Sequence, residues 1–248
     1  MTAPATIFLT LTLLAGLPAI GAAIEEPPTC GTPLPPARMT YQLYDDKKQR
    51  GQGVAVLAPE NDGTWRFRMD STARAGILRG TSVEQTQFTW DGDMPRPLAY
   101  ERRFQVGPLR RVSTADFDWQ ADAASGKHRG RSWTLAVAPG DVDRLLLQIA
   151  SARLLAADAE SIALRYLDRG RYRELVDPVL EAELIETEGG NRWQTRRVDR
   201  TSGSRTTSTW HAEALAFLPV RIEHDDEDDD ELLRLDLVTV EWLPCPDG

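Results

Sequence analysis

The chain has 248 residues, 41% of them hydrophobic and 27% charged, which is enough apolar material for a substantial core and excludes a disordered polymer. A formal net charge of −9 removes the basic surface that a phosphate backbone requires, so nucleic acid is not an expected partner. Seven acidic residues stand together at Asp225–Glu231 and leave the remainder near balance; arginine, which supplies all but three of the basic residues, is spread along the chain and marks no site by itself.

In chain order, the apolar run Ile7–Ile20 followed by Gly21-Ala22-Ala23 reads as a signal peptide, residues 1–23, cleaved after Ala23. The alternative is a single membrane anchor; no later stretch is apolar enough to cross a bilayer as a helix. Residues 24–37 are proline-rich and read as an extended linker on the surface. The two cysteines, Cys30 and Cys245, lie near the two ends, and in an oxidising compartment they would form a disulfide that staples the mature chain.

From residue 38 to 244 the dominant signal is alternation with period two, which sends every second side chain to one face of a strand. Trp65, Phe67 and Met69 alternate with Arg66, Arg68 and Asp70; Leu98, Tyr100, Phe104 and Val106 share a face, as do Phe88 with Trp90, Trp133 with Leu135 and Val137, Ile162 with Leu164 and Tyr166, and Leu233 with Leu235 and Leu237. Turn chemistry falls between such runs, at Asn61-Asp62-Gly63, Asp91-Gly92-Asp93, Asp168-Arg169-Gly170, Glu188-Gly189-Gly190 and Ser202-Gly203-Ser204. The expected fold is therefore mainly β, a curled antiparallel meander forming a barrel or half-barrel in a single domain. One segment departs from it. Asp141 can cap, and Val142, Leu145, Leu146 and Ile149 recur at helical spacing, which predicts a helix over about 141–157, apolar on most sides and buried against a concave face.

Motifs of catalysis are missing. The three histidines, His128, His211 and His224, stand apart in sequence, and no nucleophile elbow or phosphate loop occurs. His224 before the acidic run could suggest a cation, but the run lacks the glycine that a calcium loop turns on, and a solvated hairpin tip explains it better. His211, beside Trp210, reads as a strand-surface residue. No catalytic, cofactor or metal-binding residues are assigned. Trp65, Phe67, Trp90, Tyr100, Leu145, Ile149 and Trp210 are candidates either for lining a cavity for an apolar ligand or for plain core packing, and the pattern alone leaves both open.

Several segments in order resemble one bacterial family, domain of unknown function 3108: Tyr41-Gln42-Leu43-Tyr44 with Gly51, Phe88-Thr89-Trp90-Asp91-Gly92, Arg96-Pro97-Leu98-Ala99-Tyr100, Phe117-Asp118-Trp119, Pro139-Gly140 with Asp143-Arg144-Leu145, and Trp210 with Leu218-Pro219-Val220-Arg221-Ile222. The resemblance spans about 39–242 and departs at His211, where a more apolar residue is expected, and in the long acidic hairpin. It implies an exported, periplasmic protein of Gram-negative bacteria with a mainly β fold, and brings no catalytic residues. The expected function is non-enzymatic binding of an apolar small molecule or envelope lipid; the alternative is an envelope scaffold with a filled core.

Overall fold

A computed structural model describes residues 26–246, apart from 46–47, 76–77, 203 and 227–230. The predicted leader and most of the acidic tip therefore lie outside the described residues. Among the described residues the alternating runs form sixteen strands: β1 (Ala37–Asp45), β2 (Lys48–Pro59), β3 (Trp65–Ala75), β4 (Leu78–Asp91), β5 (Met94–Val106), β6 (Leu109–Asp118), β7 (Ala123–His128), β8 (Arg131–Ala136), β9 (Val142–Asp143), β10 (Ser161–Asp168), β11 (Arg171–Pro178), β12 (Glu183–Glu186), β13 (Arg192–Ser202), β14 (Arg205–Ala212), β15 (Leu218–Asp226) and β16 (Glu231–Trp242).

Thirteen of them make one antiparallel sheet in the order β12-β13-β14-β15-β16-β1-β2-β3-β4-β5-β6-β7-β8. It consists of two meanders joined by pairing of β1 with β16, and it is open, with β12 and β8 at its edges. All five glycine- or aspartate-rich turns named above connect paired antiparallel strands. The remaining strands form a small sheet, β11-β10-β9, in which β9 runs parallel to β10. This small sheet and the helix α1 (Leu147–Ala156) form a second layer: β9 touches β5, β11 touches β13, and α1 packs on β5, β10 and β15.

The helix is buried through Leu147, Ile149, Ala150, Ala152 and Leu155, as its apolar circumference requires. It begins six residues later than the spacing predicts. Asp141 is not its cap, because the Asp141 carboxylate accepts from Arg165 (2.6 and 2.5 Å) and from the Ala138 amide (2.8 Å). Val142 and Asp143 then pair with Tyr166 and Leu167 in the small sheet. Asp143 instead holds the turn that leads into α1: its Oδ1 accepts from the amides of Leu145 (2.9 Å) and Leu146 (3.0 Å), while the helix itself starts from Leu146 without a side-chain cap.

Two further expectations are corrected. Leu34, Pro35 and Pro36, expected on the surface, are buried, because the Leu243 amide donates to Pro36 O (2.9 Å) and holds the segment beside the end of β16. His211 is also buried rather than on the strand surface; its Nδ1 lies 2.8 Å from Phe217 O, and burial depresses its pKa to about 4, so the ring is neutral. An uncharged imidazole is what a position suited to an apolar residue can tolerate. Cys30 and Cys245 form a disulfide across 215 residues. Among the described residues no helix is long and apolar enough to cross a membrane.

Candidate functional site on the concave face

Register determines which side chains share the face that α1 covers. One cross-strand row runs Ala37, Leu57, Phe67, Thr86, Tyr100, Ala115, and these positions are buried. The next row runs Met39, Ala55, Met69, Glu84, Arg102, Ser113, His128, so its character changes from apolar to charged across β4 and β5. Two more rows lie farther from the helix: Tyr41, Gly53, Ser71, Ser82, Phe104, and then Ile222, Leu235, Leu43, Gly51, Ala73, Gly80, Val106. In these rows only Tyr41 and Gly53 are buried, while Ser71, Ser82, Phe104 and the whole last row are half-exposed. The second layer thus covers one half of the concave face and leaves the other open. That open half has a floor of glycine, alanine and serine, flanked by Leu43, Leu235 and Ile222 on one side and by Phe104 and Val106 on the other.

A polar cluster stands at the boundary. The Tyr100 hydroxyl donates to Glu84 Oε1 at 2.7 Å, and Thr86 Oγ1 donates to Asp143 Oδ1 at 3.0 Å. Burial, opposed in part by hydrogen bonds from Leu146, Thr86 and Leu145, raises the Asp143 pKa to about 7. Asp143 Oδ2 is buried with no hydrogen-bond partner. Burial and then the Glu84 charge raise the Tyr100 pKa well above the phenol range. Arg102 Nε and Arg144 Nε stand 3.7 and 3.8 Å from the Glu84 carboxylate, and Arg102 Nε is itself buried without a hydrogen bond. Burial, and after it the charge of Arg144, lowers the Arg102 pKa. The arrangement concentrates guanidinium groups at one end of an otherwise apolar surface.

The residues singled out in the sequence separate into two places. Trp65, Phe67, Tyr100, Leu145 and Ile149 belong to the buried core, with Trp90 packed against it. Trp90 meets Trp65 and Phe88 edge-on, with centroids 5.8 and 5.1 Å away. Trp210 is buried and belongs to the core as well, but its row, Arg197, Trp210, Arg221, Asp236, lies on the other face of the sheet; its ring sits between Arg197 and Arg221 (5.1 and 5.9 Å) and its Nε1 donates to Glu183 (2.5 Å). Each histidine has its own partner: His128 Nδ1 lies 2.7 Å from Ser113 Oγ, His224 Nδ1 lies 2.9 Å from Thr207 Oγ1, and His211 faces Phe217 O. No group of three or more potential metal ligands occurs among the described residues. Sequence reasoning missed Glu84, Arg102, Asp143 and Arg144. Extending the parity of Phe67 and Phe88 along their strands reaches Ser71, Ser82 and Glu84, which is the signal that could have found the open half. Two hollows, of about 310 and 280 Å³, are present; the first is bordered by Arg50, Arg74 and Arg79 and reaches Gly51 and Ala73 of the last row, the second is bordered by Val54, Val56 and Arg68.

The model of the family described as Protein of unknown function (DUF3108) matches residues 39–238. The chain belongs to that family. No curated protein matches it. Among solved structures, the DUF3108 chain is similar to a beta-barrel-like protein of domain of unknown function DUF1849 from Brucella abortus, with a TM-score of 0.58, 10% identity, and coverage of 85% of this chain and 99% of that one. Weaker likenesses are to MucB, with a TM-score of 0.34 and 9% identity over 86% of this chain and 55% of that one, and to a Bacteroides fragilis protein with a YmcC-like fold, with a TM-score of 0.30 and 10% identity over 83% and 95%. At 10% identity the first likeness is one of fold: a β-barrel-like sheet, here open.

Proposed function

We propose that this DUF3108 protein is a periplasmic, non-catalytic binding protein that holds an apolar or envelope-derived ligand against the open half of its concave face. The observation that carries this reading is the line at which burial stops: inner positions of β2, β3 and β4 pass from buried to half-exposed where the second layer ends, and the floor beyond is made of small side chains. Small floor residues between apolar walls leave room for an acyl chain or a ring system without unpaired backbone polar groups. Trp65, Phe67, Trp90, Leu145 and Ile149 support that surface from the packed side, and Tyr100 stands at its border. The Cys30–Cys245 disulfide and the apolar run Ile7–Ile20 support the compartment.

Native mass spectrometry of protein purified from periplasm, under conditions that retain lipids, tests the reading. The expected spectrum contains a species heavier than the mature chain that collapses to it on activation; only the bare mature mass overturns the reading. A scaffold role is the second reading, favoured by the open edge at β12, where Leu184 is 53% exposed. Crosslinking in the envelope that captures a partner through β12, together with a bare mature mass, would select it.

A further inference from the structure

Resting on the ligand reading above, we infer that the bound molecule is an anionic amphiphile, whose phosphate or carboxylate group is received by Arg102 and Arg144 while its apolar part lies along the open half of the concave face.

The first argument is geometric. Elsewhere in the molecule half-buried arginines donate closely to carboxylates: Arg197 to Asp199 at 2.7 and 2.6 Å, Arg165 to Asp141 at 2.6 and 2.5 Å, Arg221 to Asp236 at 2.6 and 3.0 Å. Arg102 and Arg144 do not. Their shared carboxylate, Glu84, is 3.7 and 3.8 Å away and is already bonded to the Tyr100 hydroxyl. Two guanidinium groups therefore reach the boundary with donors uncommitted, in the form suited to bidentate capture of a carboxylate or phosphate.

The second argument is direction. The Arg102 guanidinium lies 5.8 Å from the centroid of Phe104, the next residue outward on the same face, so it leans toward the open half rather than into the core. The third argument is charge. Arg169 also opposes protonation at Arg102 and at His128, while its neighbour Asp168 is shared between Arg169 (3.7 Å) and Arg173 (3.6 Å). An excess of positive charge beside an apolar surface is the complement of one anionic head on one apolar tail.

The test uses the full mature protein, stripped of bound lipid, and three probes: oleate, 1-monoolein with the same chain and an uncharged head, and inorganic phosphate. Displacement of a fluorescent acyl probe reads the first two, and calorimetry reads the third. The expected result is oleate binding about tenfold tighter than monoolein, with Arg102→Gln and Arg144→Gln each removing most of that advantage. Circular dichroism and a thermal melt like those of wild type show that the variants are folded. Equal binding of oleate and monoolein overturns the anionic head and leaves the apolar-ligand reading standing. Binding of phosphate alone, lost in both variants, keeps the anion site but overturns the amphiphile. No binding of any probe overturns both.

Discussion

Asp143 and His211 are buried groups with opposite titration behaviour. The Asp143 carboxyl in the fold has a pKa of about 7, above the ordinary value near 3.9, so the native state holds a proton that the unfolded chain releases, and its contribution to stability is lost as pH rises from about 4 to 7. His211, lowered to about 4 from about 6.5, contributes stability that is present above 6.5 and lost as pH falls toward 4. Each effect is on the order of 3 kcal/mol, and they oppose one another across the same window. The wild-type chain should therefore show a flat contribution from this pair between pH 4 and 6.5, while Asp143→Asn, which keeps the accepting oxygen, should become more stable as pH rises. Urea denaturation at pH 4.5 and 6.5 measures the difference; an Asp143→Asn variant whose pH dependence matches wild type would refute the assignment. Neither residue's role was legible in the sequence. An aspartate reads as a surface or capping residue, and only the β9–β10 pairing places Asp143 beneath Thr86.

Strands were more legible than the helix because period two is strictly repeated in Trp65–Asp70 and Leu233–Leu237, whereas the start of α1 is decided by contacts far away in sequence. Asp141 has every local attribute of a helix cap, but the ion pair with Arg165 competes for it and wins. Burial of the helix followed from its apolar circumference. Ile149, at 0% exposure, fills the space between the layers, so Ile149→Ala should cost about 2–5 kcal/mol in chemical denaturation, the range for a truncated core aliphatic. A loss below about 1 kcal/mol would mean that the layer is not tightly packed. The turn joining β10 and β11 makes a second, sharper test. Gly170 has φ of +74°, and a Cβ there would come within 2.6 Å of the Trp133 ring. Gly170→Ala should destabilise the fold by about 1–3 kcal/mol through both effects, read as a lower Tm, and should perturb the near-ultraviolet signal of Trp133.

At the scale of the whole molecule, the mainly β antiparallel fold followed from alternation and turn spacing. The openness of the sheet did not, since closure depends on how far two distant edge strands stop short of each other. Which half of the concave face is left open was also hidden, because it depends on the length of the second layer. The Cys30–Cys245 link was legible, and it closes 215 residues, worth roughly 5 kcal/mol in the chain-entropy model. The β1–β16 ladder already holds those ends together in the native state, so the bond acts mainly on the unfolded chain. Reduction, or Cys30→Ser with Cys245→Ser, should lower the urea midpoint by the equivalent of about 2–5 kcal/mol with little change in the folded spectrum; an unaltered midpoint would show that the bond adds nothing.

Residues 30 and 245 have Cα atoms 5.2 Å apart, and everything between them returns to its starting point. In connectivity the folded body is thus nearly a ring. Its order of strands would survive if a short peptide bridged those two positions and the chain were instead opened at a hairpin such as Gly107-Pro108, between β5 and β6. Where synthesis starts along that circuit is a matter of genetic punctuation rather than of architecture.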